Sequence, residues 1–280
     1  MTAAVAVALV AKGLAEAGLE QPRREARQLL SALGGPDGIL RADEVLEEGL
    51  LQRYLTAGRR RARREPFAYV VGYREFWGLD IAVGPGVLIP RPETEGLVER
   101  ALALAPDGAR VVDLCTGSGA VALAVASSRA DLGVDATDIS TRALDVAARN
   151  VATLGLASRV RLHAGDLWGA LPARTHGHYL VCTCNPPYVE ARELGTLEPE
   201  VRDWEPRLAL VPPGGWLRLY TRLARGAMSW LAPGGWLVAE VGARQGDAVA
   251  GILCGAGLCD VRQERDLSGQ PRYVRGRRPT

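Results

Sequence analysis

From Gly108 onward, short apolar runs of strand length alternate with longer segments of helical period, and this alternation leaves few folds open to the chain. Strand character falls at residues 110–114, 133–137, 159–163, 179–184 and 236–241. Helical character falls at 119–128, 141–153, 217–231 and 245–256. Strands separated by helices pair in parallel through crossovers rather than as hairpins. The expected fold class is therefore α/β, a doubly wound, mostly parallel sheet.

The preceding third has a different texture. Residues 2–64 are rich in Ala, Leu, Glu and Arg, with apolar positions at helical spacing: Val7, Leu14 and Leu19, then Ala26, Leu29, Leu30 and Leu33. Gly34-Gly35-Pro36-Asp37-Gly38 is expected as a turn, and a second break falls near residues 41–44. Between Pro66 and Pro92 the aromatics Phe67, Tyr69, Tyr73, Phe76 and Trp77 mix with recurring glycines, as in a hairpin-bearing linker. A chain of 280 residues suits two domains. The expected division is a helical bundle over 1–72, a linker with a hairpin over 73–92, and the α/β domain over 93–280.

Composition narrows the function classes. Apolar stretches such as 3–11 and 120–126 stop well short of the roughly 18 to 20 residues that cross a bilayer. The apolar start lacks a basic leader and runs on through Lys12 and Glu16, so a cytoplasmic location without membrane contact is expected. Cys115, Cys182, Cys184, Cys254 and Cys259 form no CxxC pair, and His163, His176 and His178 form no HExxH or Cys/His array. Reduced thiols are expected, and no metal site. A net charge of +2 is too balanced for a large phosphate-binding surface. Positive charge concentrates in Arg59, Arg60, Arg61, Arg63 and Arg64, a run that suits a solvated helix face, an acidic partner or RNA.

The apolar strand Val111-Val112-Asp113-Leu114 runs into Cys115-Thr116-Gly117-Ser118-Gly119, a turn in which glycine lets backbone approach a ligand closely. The third glycine of the dinucleotide fingerprint is missing, since Ala120, Val121 and Ala122 follow, so pyrophosphate recognition has little support. Asp138 ends the next strand, where a ribose-binding carboxylate belongs; its alternative role is to cap the helix starting near Thr141. After the third strand, Asp166 and Leu167 offer an acceptor and an apolar flank for an adenine. These residues together point to a nucleoside ligand.

Asn185-Pro186-Pro187-Tyr188 follows the strand ending at Cys184, at the carboxyl edge of the sheet where open α/β folds bind ligands. Two prolines fix φ and remove two donors, leaving the Asn185 side chain and the Pro186 carbonyl as rigid acceptors. An NH2 group can donate to both while the Tyr188 ring packs on a flat amide or base. The alternative is a plain tight turn.

With these residues the chain resembles the class I S-adenosylmethionine-dependent methyltransferases that carry an NPPY motif, and more closely the release factor glutamine methyltransferases. The likeness extends to Pro66-Phe67-Ala68-Tyr69-Val70-Val71-Gly72, to Leu88-Ile89-Pro90-Arg91-Pro92-Glu93-Thr94-Glu95, and to Glu205-Pro206-Arg207-Leu208-Ala209-Leu210. It continues in Pro233-Gly234-Gly235-Trp236 running to Glu240, and in Asp266-Leu267-Ser268-Gly269. Nearly the whole length is covered.

The resemblance implies a Rossmann-like fold and methylation, from S-adenosylmethionine, at N5 of the glutamine in the Gly-Gly-Gln tripeptide of peptide-chain release factors, with S-adenosylhomocysteine as product. It implies that Cys115 to Gly119, Asp138, Asp166, Leu167 and Asn185 hold the cofactor. Asn185, Pro186, Pro187 and Tyr188 would bind the substrate amide, with Pro90, Arg91, Pro92 and Glu93 beside them; Arg91 and Glu93 have an ion pair as their alternative. The helical domain would help hold the release factor, the chain would act as a monomer, and contact with nucleic acid would be indirect. The chain departs from the family pattern at Cys115, commonly glycine, at Cys184, commonly small, and at Leu167, often aromatic. The competing readings are an amino methyltransferase acting on a nucleic-acid base and a cofactor-retaining scaffold without transfer.

Overall fold

Four helices open the chain: α1 (Ala3–Glu16), α2 (Pro22–Gly34), α3 (Glu48–Ala62) and α4 (Phe67–Val71). A computed structural model describes residues 1–34 and 41–280, and the turn expected at Gly35-Pro36-Asp37-Gly38 lies outside the described residues. The second break is present, with the Glu44 N–H donating to the Arg41 carbonyl at 3.0 Å. The chain divides into two compact units. One comprises Met1–Tyr73 together with Leu197–Trp204; the other comprises Arg74–Thr196 with Glu205–Thr280.

The helical unit is built on the periodic apolar positions. Leu14, Leu29 and Tyr54 are fully buried, and the Tyr54 hydroxyl donates to the Ala26 carbonyl at 2.9 Å, which satisfies a phenol that burial would otherwise penalise. At Gly58 a Cβ would stand 2.9 Å from the Val10 methyls, so glycine is what lets α3 approach α1. Three arginines of the run are held in ion pairs, and Arg61 is buried. Arg61 pairs with Glu25 and, at 2.8 Å, with Glu200 on the returning segment; Arg64 also reaches Glu200 at 2.8 Å, and Arg60 pairs with Glu65. Arg59 and Arg63 are exposed.

The second unit opens within β1 (Tyr73–Phe76), which forms a hairpin with β2 (Leu79–Ala82). Trp77 and Gly78 sit between them at φ 56° and 69°, the left-handed pair of residues that a tight hairpin requires. The main sheet contains β3 (Arg110–Leu114), β4 (Gly133–Asp138), β5 (Val160–Ala164), β6 (Tyr179–Cys184), β7 (Leu231–Glu240), β8 (Cys259–Arg265) and β9 (Pro271–Arg277). Its helices are α5 (Glu95–Leu104), α6 (Ala120–Ser128), α7 (Thr141–Thr153), the one-turn α9 (Arg207–Leu210), α10 (Trp216–Trp230) and α11 (Gly246–Gly255); the one-turn α8 (Pro199–Arg202) belongs to the helical unit.

The strand order is β5-β4-β3-β6-β7-β9-β8, with β3 to β7 parallel and β9 antiparallel to both of its neighbours. This is the mostly parallel, doubly wound sheet expected from the alternation. Helix α6 is buried from Ala120 to Ala126, which is why that stretch shows no polar face. One expectation needs correction. The last parallel strand begins at Leu231, ahead of residue 236, because the Pro233-Gly234-Gly235 stretch continues the strand instead of preceding it. The chain ends on a further strand. Arg275 and Arg277 lie in β9, stack over the Trp236 ring at 5.0 and 5.8 Å, and pair with Glu264 and Asp260.

Candidate active site

Sheet register decides which loops meet. Leu114 at the end of β3 pairs with Cys184 at the end of β6, so Cys115 and Asn185 leave the sheet side by side. Leu114 also pairs with Thr137 of β4, which puts Asp138 on the other flank, and Asp138 pairs with Ala164 of β5, ahead of Asp166. From β3 the chain proceeds outward to β4 and β5 in one direction and to β6 and β7 in the other. A crevice therefore opens at the carboxyl ends of β3 and β6, at the topological switch point.

A cavity of about 240 Å³ occupies this position. Of the sequence candidates, Cys115, Gly117, Asp138, Asp166, Leu167, Asn185 and Pro187 line it. A Cβ built on Gly117 meets no atom within 4 Å, so it would project into open space next to the cavity. Gly119 differs: its Cβ would stand 3.3 Å from Ala147, so this glycine serves the packing of α6 on α7. Thr116 and Ser118 are buried and support the turn, Thr116 by donating to Asp113 at 2.6 Å and Ser118 through its carbonyl, which accepts from Asn150 at 2.9 Å. Cys115 and Leu167 adopt φ of 59° and 49°, a left-handed conformation unfavourable for residues with a side chain.

Asp138 accepts from the Gly117 N–H at 2.9 Å and from the Ser140 N–H at 2.8 Å, one on each carboxylate oxygen. Each oxygen retains a lone pair, enough to receive the two hydroxyls of a vicinal diol. Burial pushes this carboxyl up, and the backbone donors of Ser140 and Gly117 pull it back down. Helix α7 is capped by Ser140, whose hydroxyl accepts from the Ala143 N–H at 3.2 Å, so Asp138 is not its cap. Beneath the turn, burial pushes the Asp113 carboxyl up to about 6 although Thr116 and Thr183 both donate to it.

On the other wall, Asn185 donates through Nδ2 to the Thr94 hydroxyl at 3.1 Å, leaving its Oδ1 as an acceptor. Tyr188 is held at both ends, its hydroxyl donating to Glu240 at 3.4 Å and its carbonyl accepting from Gln245 at 2.8 Å. Arg91 and Glu93 do not pair with each other. Arg91 reaches the buried Glu205 at 2.5 Å, and the exposed Glu93 contributes its backbone carbonyl to the Tyr273 hydroxyl. Neither lines the cavity.

Several residues at the site have no role that the sequence assigns, although Leu208 and Ala209 lie in the Glu205 to Leu210 run that carries the family likeness. Arg222 of α10 lines the cavity and reaches Asp166 at 2.6 Å, and nothing in its helical context marks that position. Leu208 and Ala209 form part of the wall, and Ile139 and Ser140 continue it after Asp138. Thr94 and Glu240 fall within the runs that carry the family likeness, but only the fold shows them meeting, at 2.8 Å.

The model of the Methyltransferase small domain family matches residues 94–198, the stretch holding the glycine turn, Asp138 and the Asn185 loop. With the sheet order, this defines a methyltransferase of the Rossmann-like class. A methyltransferase from Pyrococcus furiosus shares the fold at a TM-score of 0.53 and 18% identity, over 84% of this chain and 100% of that one. The model of the PrmC N-terminal domain family matches residues 6–72. The chain is 43% identical to the release factor glutamine methyltransferase of Cereibacter sphaeroides, over 100% of this chain and 99% of that protein. It is 40% identical to the one of Geobacter sulfurreducens, over 94% and 92%. The chain belongs to the release factor glutamine methyltransferase family. Among the described residues no helix is long and apolar enough to cross a membrane.

Proposed function

We propose that this chain transfers a methyl group from S-adenosylmethionine to N5 of the glutamine in the Gly-Gly-Gln tripeptide of peptide-chain release factors. S-adenosylhomocysteine and one proton, released from the amide nitrogen to solvent, are the by-products, and the reaction supports translation termination in the cytoplasm. The observation that supports the proposal is the register at β3 and β6, which brings Cys115, Gly117 and Asp138 to the same cavity as Asn185 and Pro187; Pro186 and Tyr188 follow in the same loop without lining it.

In this reading Asp138 takes the ribose hydroxyls, the Cys115 to Gly119 turn gives backbone access, and Asp166 and Leu167 flank the adenine. The cofactor supplies an electrophilic methyl carbon. The chain supplies orientation. Asn185 Oδ1 and the Pro186 carbonyl accept the two amide hydrogens of the substrate, which turns the nitrogen toward the cofactor end of the cavity. Tyr188 covers one face of the planar amide; burial, with Glu240 next, pushes its hydroxyl up to about 12, so it stays a neutral donor. A delocalised amide lone pair is a weak nucleophile, and fixed geometry with exclusion of water provides much of the rate. The helical unit serves to hold the release factor, and the chain acts as a monomer.

The test is intact-mass analysis of unmethylated release factor after incubation with the protein and S-adenosylmethionine, followed by peptide mapping. One methyl gained on the Gly-Gly-Gln glutamine is expected. No gain there, with folded enzyme and bound cofactor, would refute the assignment and redirect the search to nucleic-acid bases.

A further inference from the structure

We infer that Glu240, acting through Thr94, is the positioning residue that sets which face of the Asn185 amide meets the substrate. This rests on the reading of Asn185 as the amide acceptor given above. Glu240 closes β7 and is 2% exposed; Thr94 precedes α5 and is 5% exposed. The Thr94 hydroxyl donates to Glu240 Oε2 at 2.8 Å. Its one proton is thereby committed, so its oxygen can only accept from Asn185, which must present Nδ2 at 3.1 Å. The amide is then locked with Oδ1 free as an acceptor. The other carboxylate oxygen, Oε1, takes the Tyr188 hydroxyl at 3.4 Å. One buried carboxylate therefore holds both ends of Asn185-Pro186-Pro187-Tyr188.

The direction of this chain of bonds depends on a carboxylate that has no proton to give. If Glu240 carries a proton, or is replaced by Gln, it can donate to Thr94. The Thr94 proton is then released toward Asn185, and the flipped amide meets the substrate NH2 with a second NH2. Two donors cannot bond, and the orienting contact is lost.

The surroundings make this carboxyl titratable near neutrality. Burial pushes it up to about 7; Thr94, Arg272 of β9 and the Tyr188 hydroxyl pull it down, and the Glu93 carboxylate pushes it up. The remaining titratable neighbours are Tyr220 of α10, which donates to the Glu240 carbonyl, and Tyr273 of β9, its register partner. Burial drives both phenols upward, Tyr273 to about 12, so they stay neutral across the working range.

The test compares kcat against pH for the full-length wild type, Glu240→Gln, Thr94→Val and Thr94→Ser, with release factor and S-adenosylmethionine as substrates. Wild-type kcat should fall as pH drops through about 7, and the limb should vanish in E240Q. E240Q and T94V should lose roughly 10–100-fold in kcat, the scale seen when an outer partner orienting a reacting group is removed. Cofactor affinity should be kept, and T94S should recover most of what T94V loses. The second readout is the side-chain NH2 resonance of Asn185, assigned by its loss in Asn185→Asp. It should be slow to exchange in the wild type, shift with the same midpoint as kcat, and broaden in T94V. That resonance needs no substrate, so an inactive wild type would count against the methylation reading while the relay is still judged. If E240Q fails to fold, the wild-type titration alone decides. An Asn185 amide indifferent to pH, or E240Q with an unchanged profile, overturns the inference.

Discussion

The two units surround their carboxylates differently. In the helical unit the buried Glu65 and the half-buried Glu25 and Glu200 all meet guanidinium groups: Glu200 lies between Arg61 and Arg64, Glu25 faces Arg61, and Glu65 faces Arg60. Burial pushes Glu200 up, but its two arginines more than offset this and leave the carboxyl below its usual range. The sheet unit also has an arginine-paired carboxylate, the buried Glu205 with Arg91, but Asp113, Asp138 and Glu240 accept from hydroxyls and backbone N–H groups, and burial raises all of these. Asp135, one strand away from Asp113, is a control within the same sheet. Burial pushes it up too, but His163 and Arg110 reverse the sign. The contrast separates two uses of a buried acid. A carboxylate closed by arginine is fully engaged and holds structure, whereas one held by neutral donors retains acceptor capacity and polarity to pass to its neighbours.

Breaking the arginine network tests the first half of the comparison and should give the largest effect. Arg61→Ala leaves Glu25 without its cation and should destabilise the helical unit by about 3–5 kcal/mol, as when one partner of a buried pair is removed. Hydrogen exchange should accelerate in peptides from α1 to α3 and stay unchanged in the parallel strands; uniform acceleration would break the distinction.

The second half is tested by Asp113→Asn. The folded-state value of about 6 lies above the usual 3.8, so the folded chain binds the proton more tightly. The associated stability is fully present below the unfolded value and is lost as pH rises through about 6. Wild type should therefore gain on D113N by roughly 3 kcal/mol, read from urea unfolding, as pH falls across that window, because a tenfold difference in proton affinity corresponds to about 1.4 kcal/mol. A pH-independent difference between the two proteins would contradict the assignment.

The smallest effect concerns backbone. Cys115 stands at φ 59°, where glycine is free of Cβ strain. Cys115→Gly should stabilise the sheet unit by about 1 kcal/mol, since the strain of roughly 1–2 kcal/mol is partly offset by the added freedom of the unfolded chain. Thermal melting checks the sign, and a loss of stability would mean that the thiol's packing matters more than its backbone.

The legibility of this molecule follows from how far each signal reaches along the chain. The alternation after Gly108 is readable because parallel strands such as Val111 to Leu114 are apolar almost throughout and close on marked turns. The hairpin of β8 and β9 is not, since its strands carry Arg262, Arg265, Arg272, Arg275 and Arg277, several of them neutralised across strands or stacked over a tryptophan ring. Contiguous segments cannot show that residues 197–204 return to the helical unit to meet Arg61 and Arg64. At the site, the glycine turn and the Asn185 loop announce themselves by composition. The Thr94 to Glu240 contact spans 146 positions and depends on register alone.

The measurement that bears most directly on the shared cavity is paired calorimetry and methyl-transfer kinetics on Asn185→Ala. S-adenosylmethionine should bind close to wild type, while kcat on release factor should fall by roughly 10²–10³, the scale for deleting one preorganised contact to the reacting group. Transfer at the wild-type rate would contradict the role given to Asn185 and with it the whole construction of the site.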